Sequence, residues 1–254
     1  KHHYTLFLNI AMSISAACLA YALCLKLAEV LFHLPAFHEA GYICSILFII
    51  PGFPFITSGI DLAKLDLRSG LERLTYAIII ILVATMFAWI MALWLNLQPL
   101  SFTSMTLNPL LLLCLRIIAS FCGVFGFSIM FNSTIPMAAT AALIGAVANT
   151  FRLELIDFTD MPPAAAAFIG ALSAGLLASE IKKNNGYPRI SLTVPSIVIM
   201  VPGLYLYRAI YNFGIMSLTE AVSWFTSAIM IIIMLPLGLI FARILTDRTF
   251  RFCT

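Results

Sequence analysis

The sequence predicts an all-α polytopic membrane protein with about eight transmembrane helices, arranged as an inverted-topology repeat of a five-plus-five architecture. Three observations carry this: a composition too apolar for a soluble core, apolar runs of bilayer length, and two segments that align without a gap. Of 254 residues, 62% are apolar and 10% charged, and the mean hydropathy is +1.06. A soluble domain carries about 25% charged residues. Lipid must therefore be the solvent for most of the surface, which leaves helices or a closed barrel. The runs are continuous over about 20 residues and lack the alternation of barrel strands, which selects helices.

The eight expected spans are 4–32, 41–60, 71–97, 108–127, 134–151, 163–180, 190–211 and 219–245. Turn-forming groups separate them: Leu34-Pro35, Gln98-Pro99, Asn108-Pro109, Met161-Pro162-Pro163 and Asn184-Asn185-Gly186. The first run is too long for a signal-peptide core. The fifth is the shortest. Orientation follows from Lys and Arg in the short loops. The N-terminal side receives ten (Lys1, Lys64, Arg68, Arg73, Lys182, Lys183, Arg189, Arg243, Arg248, Arg251). The other side receives three, Lys26, Arg152 and Arg208. That places both termini in the cytoplasm and the protein in the cytoplasmic membrane.

Residues 45–82 and 196–233 align at a constant offset of 151. Ser45/Ser196, Pro51/Pro202, Gly52/Gly203, Thr75/Thr226 and Ala77/Ala228 match. The Pro-Gly helices are the second and seventh spans, an odd separation that implies opposite orientations. Inverted repeats of this kind are typical of secondary transporters. Residues 1–100 then form three helices of a first repeat, and 101–254 the five of a second. The fourth and fifth spans pair with nothing in this sequence, so their partners are expected upstream of Lys1 or on a partner chain.

Proline removes a backbone donor and glycine weakens the helix, so Pro51-Gly52-Phe53-Pro54 is expected to break its span. Pro195 and Pro202-Gly203 are expected to do the same in the other repeat. Broken helices at membrane depth present carbonyls and helix ends to ligands. Pro51, Gly52, Pro202 and Gly203 are therefore candidates for substrate binding or coupling, as are Asp61, Arg116, Asn132, Asn149, Arg208 and Asn212, polar groups within or flanking spans. Arg116 or Arg208 would meet a carboxylate, and Asp61 or Glu154 an amine or a proton. Arg152, Glu154 and Asp157 cluster at the outer end of the fifth span, where snorkelling competes with a binding role. Asp61 is equally suited to begin a polar loop and pair with Lys64. Ala166, Gly170, Ala174 and Ala178 form a small-residue stripe, read as a packing or sliding face.

Other chemistries find no support. The six cysteines, Cys18, Cys24, Cys44, Cys114, Cys122 and Cys253, contain no CxxC pair, so no disulfide framework or metal site is indicated. His2 and His3 suggest no role. No basic stripe interleaved with aromatics suggests nucleic acid. No nucleotide-binding loop, nucleophile elbow or metalloprotease motif marks an enzyme. The 20 Phe residues fit lipid-facing and interfacial positions better than a cofactor box, and no cofactor is expected.

Three stretches carry a family resemblance. IIPGFPFITSGIDLAKLDLRSGLERL, at 49–74, resembles the end of the first domain of the threonine/serine exporter family. FGFSIMFNSTIPMAATAALIGAVANTFR, at 125–152, resembles the start of its second domain. AAFIGALSAGLLASEIKKNNGYPRISLTVPSIVIMVPGLYLYRAI, at 166–210, is similar to its most recognisable stretch. The resemblance implies ten helices in two halves, sometimes on separate chains, and proton-driven efflux of threonine and serine. Relatives split over two chains imply dicarboxylate (succinate) export as the alternative. A non-transporting membrane subunit or scaffold is a third reading. The expected partners are protons, a small amino acid or carboxylate, the lipid bilayer, and a second copy or a complementing chain. Alternating access is expected to rock one repeat against the other about the two Pro-Gly breaks.

Overall fold

The computed structural model describes residues 5–32, 41–97, 107–247 and 250, with the side chains of 32 and 182–185 excepted. Lys1, His2, His3, Leu34-Pro35, Gln98-Pro99, Arg248, Arg251 and Cys253 lie outside the described residues, as do the side chains of Lys182 and Lys183.

Among the described residues the chain is helical without strands. The helices are α1 (Leu6–Phe32), α2 (Tyr42–Ile46), α3 (Gly52–Ala63), α4 (Leu67–Leu95), α5 (Pro109–Met130), α6 (Ile135–Thr159), α7 (Pro163–Asn185), α8 (Arg189–Val198), α9 (Gly203–Gly214) and α10 (Leu218–Thr246). Six are long and apolar enough to cross a bilayer. Counting α2 with α3 and α8 with α9 as broken spans brings the total to eight, the number read from the sequence.

Local chemistry sets the boundaries. Asn108 caps α5 by accepting the Leu110 N–H at 3.1 Å, with Pro109 at the first helical position. The fifth expected span ends too early at 151. Helix α6 continues to Thr159 and stops at Asp160, whose φ of 49° is left-handed, just before Pro162-Pro163. The charged residues 152–157 extend the helix because Glu154 and Asp157 find a cation on α5. Pro195 is also corrected: it sits inside α8, and the break comes after Val198.

The described chain forms two compact units. The first comprises 1–51, 75–105 and 203–228; the second comprises 52–74, 106–202 and 229–254. Both Pro-Gly peptide bonds are unit boundaries, so each unit takes one half of each broken span.

The first unit packs bulky side chains. Ile14, Cys18, Tyr42, Ile46, Ala88 and Tyr207 form its core. The second packs backbone on backbone. A methyl group on Gly145 would lie 2.9 Å from the Ser196 carbonyl oxygen, and one on Gly238 would lie 3.0 Å from the Leu172 nitrogen. Ala166, Ala174 and Ala178 of the α7 stripe are fully buried, which fits the packing reading.

Residues 45–82 and 196–233 share features of local backbone structure at the same offset of 151. Leu65 (φ 63°) and Met216 (φ 60°) both take the left-handed conformation, which is uncommon for such side chains. Each follows a helix closed in the same way: Asp66 N–H donates to the Asp61 carbonyl at 3.1 Å, and Ser217 N–H to that of Asn212 at 2.9 Å. Gly70 N–H to Asp66 and Ala221 N–H to Ser217, both 3.0 Å, open the following helices.

Candidate functional site

At the first break the Ile50 N–H donates to the Leu47 carbonyl at 3.2 Å; at the second, Val201 N–H donates to Val198 at 3.1 Å. These bonds are again 151 residues apart. Each is followed by a proline with no N–H to give, so the helix stops. Glycine then opens the next half-helix. In the second unit, Gly52 at the start of α3 meets the end of α8: a methyl there would lie 3.2 Å from Val201 Cγ2 and 3.5 Å from Val198 Cγ2. In the first unit, Gly203 at the start of α9 meets the turn after α2, against Ile50 and within 2.9 Å of Leu47 Cδ2 on the same measure. Each unit thus sets the carbonyl end of one half-helix beside the N–H end of a half-helix from the other broken span. A helix start carries about half a positive charge and its end about half a negative one. A junction of this type suits a ligand with both signs of charge, provided the backbone is close enough, which the glycines permit.

Hydroxyls around the second unit's junction are bonded to their own helices. Thr57 donates to Phe53 (3.0 Å), Ser58 to Phe55 (2.8 Å), Thr193 to Arg189 (3.0 Å) and Ser196 to Thr193 (2.8 Å). Their hydrogens are committed and their oxygens remain acceptors. A polar line approaches from α5 and α6. Asn149 Nδ2 donates to Ser120 Oγ at 2.9 Å, both buried, and Arg152 donates to Asn149 Oδ1 at 3.3 Å. The Arg152 stem borders the break: a methyl on Gly170 would touch both Arg152 Cβ (3.1 Å) and Met200 Sδ (3.3 Å). Farther along the same helix pair, Arg116 donates to Glu154 at 2.8 Å and to Asp157. One cation thus holds two carboxylates.

The remaining candidates separate. Asp61 pairs with Arg73 at 2.8 Å, rather than with Lys64. Asn132 takes a left-handed turn (φ 60°) closing α5 and is exposed. In the first unit, Arg208 lies 4.7 Å over the Trp224 ring, and Asn212 donates to the Arg208 carbonyl at 2.8 Å. Ser120 and the hydrogen-bonded pair Tyr42–Tyr207 escape the sequence reading. Nothing distinguishes Ser120 from other small residues in an apolar run, and no local pattern links tyrosines 165 positions apart. Among the described residues, no group of three or more His, Cys, Asp or Glu could hold a metal ion.

Family comparison covers most of the chain. The family model described as Threonine/Serine exporter, ThrE, matches residues 116–245, and a second threonine/serine exporter model of that name matches residues 1–96. No curated protein and no solved structure matches.

Proposed function

We propose, from the premise that this chain belongs to the threonine/serine exporter family and is a multi-pass membrane transporter of amino acids, that it drives threonine and serine out of the cytoplasm with the proton gradient. The carrying observation is the meeting of α8's carbonyl end with α3's amino end at Gly52. A zwitterionic amino acid places its ammonium on the carbonyls and its carboxylate on the N–H groups. A dicarboxylate has no use for the carbonyl end, which favours the amino acid. Arg152, beside Met200, offers the carboxylate a second contact.

Glu154 and Asp157 are the proposed proton carriers. They share Arg116, so protonation of either one leaves the cation with a partner. The chain crosses between its compact units at both Pro-Gly bonds, which supports these as the flexing points of alternating access. The side bearing Lys64, Arg68, Arg73, Arg189 and Arg243 is assigned to the cytoplasm of the cell-bounding membrane.

The test is efflux from vesicles containing the reconstituted chain and labelled threonine. Release accelerated by a pH gradient, blocked by serine and untouched by succinate, is the expected result. Succinate competition would transfer the site to dicarboxylates, and no movement of either would leave a scaffold. Glu154→Gln is expected to retain threonine exchange while losing its response to the pH gradient.

A further inference from the structure

The second unit contains two neighbouring hollows between α3 and α10 that the transport reading does not use. One, of about 150 Å³, is lined by Lys64 from the chain just after α3, Arg189 from the first turn of α8, and Arg243 and Asp247 from the end of α10. Three cations face one carboxylate. The two guanidiniums are held in place without being neutralised by bidentate pairing. Arg189 donates to Thr246 Oγ1 at 2.9 Å and to the Gly175 carbonyl at 3.3 Å. Arg243 lies 4.2 Å over the Phe250 ring, and its Nε is 3.6 Å from Asp247, beyond hydrogen-bonding distance. That Nε is buried and makes no hydrogen bond.

The other hollow, of about 370 Å³, is almost wholly apolar. Phe55, Leu62, Leu74, Ile233 and Pro236 line it, and Ile240 is common to both. Along α10, Pro236, Ile240 and Arg243 therefore run from apolar groove to basic cavity within two helical turns.

We infer that this pair of hollows holds an anionic phospholipid, its phosphate in the basic cavity and an acyl chain in the groove. Charge sets the head: a site with two more cations than carboxylates rejects a neutral zwitterion and suits a phosphate, which guanidiniums grip through parallel N–H donors. A zwitterionic headgroup brings its own cation and gains less. Continuity of the wall at Ile240 sets the tail, because a free anion has no use for an apolar groove. Basic pockets between membrane helices are a recurrent form of lipid headgroup recognition.

The experiment uses the full chain in nanodiscs of phosphatidylcholine with and without phosphatidylglycerol, read by thermal unfolding and by native mass spectrometry of retained lipid. Phosphatidylglycerol should raise the unfolding temperature and be retained in preference to phosphatidylcholine. Lys64→Gln, at an exposed position that folding tolerates, and Arg243→Gln should each cut that preference about tenfold, the worth of one charge-assisted hydrogen bond. Arg68→Gln, an exposed charge outside the cavity, should leave it unchanged. Equal retention of the two lipids would overturn the assignment, as would an undiminished preference in both cavity variants. Inorganic phosphate reproducing the whole stabilisation in detergent would show a free-anion site instead. Displacement of the lipid by threonine would assign the cavity to transport.

Discussion

In the first unit, Tyr42 of α2 and Tyr207 of α9 close the half-helix junction, fully buried and hydrogen-bonded to each other with their rings edge to face. In the second unit, the positions at the same register are Thr193 of α8 and Ile56 of α3. The closing backbone bonds at the two breaks coincide, while the side chains around them differ. Large rings fill the first junction and tie it to itself. At the second, Gly52 meets the methyls of Val198 and Val201, Gly145 lies against Ser196, and Ser120, Asn149 and Arg152 form a polar line on α5 and α6. The contrast fits the proposed substrate contacts, which fall in the second unit. It also assigns different tolerances. Side-chain packing can shift rotamers to accept a methyl group, whereas backbone-on-backbone packing cannot.

That contrast breaks most sharply at Gly145. Gly145→Ala puts a methyl against the Ser196 carbonyl and Val124, and forces α6 away from α8. Overpacking in a dense interior costs about 1–3 kcal/mol, and the upper end is expected because the obstacle is backbone. Gly203→Ala meets only the side-chain ends of Ile50 and Leu47, and should cost about half as much. Thermal unfolding of both variants in detergent gives the order. A larger loss at Gly203 would mean that the first unit is the tighter one.

Arg116→Gln comes next. It leaves Glu154 and Asp157 facing each other without a cation. Breaking a buried ion pair costs about 3–5 kcal/mol, but Asp157 stays half in contact with water, so about 2 kcal/mol is expected. Thermal unfolding of the variant beside the unsubstituted protein measures the loss, and an unchanged unfolding temperature would show that the Arg116 pairs do not hold α5 to α6.

Much of this was legible in the sequence, for reasons that also explain what was not. Apolar length fixes spans, and Pro-Gly fixes breaks, because both act through the local chain. Several turn bonds coincide at the offset of 151, as do left-handed Leu65 and Met216, which no propensity would nominate. Arg116 was singled out for its depth, but its two carboxylates were not assigned to it, because the pairing spans 38 and 41 residues. Asn132 drew notice as a polar group near a span, yet it serves the turn that ends α5. Pro195 misled because proline removes one N–H and one helix bond without having to end the helix, and α8 continues through it to Val198.

Tyr207→Phe probes the frame. It deletes one hydroxyl and strands the Tyr42 hydroxyl in a dry core, for a cost of about 1–2 kcal/mol. If the first unit only frames the site, threonine affinity stays constant while the unfolding temperature drops. A changed KM at unchanged stability would move the substrate site toward the tyrosines. Replacing both tyrosines by phenylalanine removes donor and acceptor together, and should recover part of the loss.

The smallest effect concerns the ties that follow each junction. In the second unit Asp61 reaches Arg73 as an ion pair; in the first, Arg208 lies over Trp224, which occupies the register of Arg73. The same helix hairpin is thus fastened by charge in one unit and by a ring face in the other. Arg73 is half exposed, so its pair is worth about 0–1 kcal/mol and is screened by salt. The stacked guanidinium is worth about 0.5–1 kcal/mol. Its planar face rests on the indole, so part of its contribution is contact rather than field, and salt acts on it less. Arg73→Gln should therefore destabilise the protein at low salt and scarcely at all in molar salt. Arg208→Gln should retain most of its small cost in both. Unfolding temperatures of the two variants at low and high sodium chloride give the answer, and equal salt sensitivity would mean that the two ties differ in appearance only.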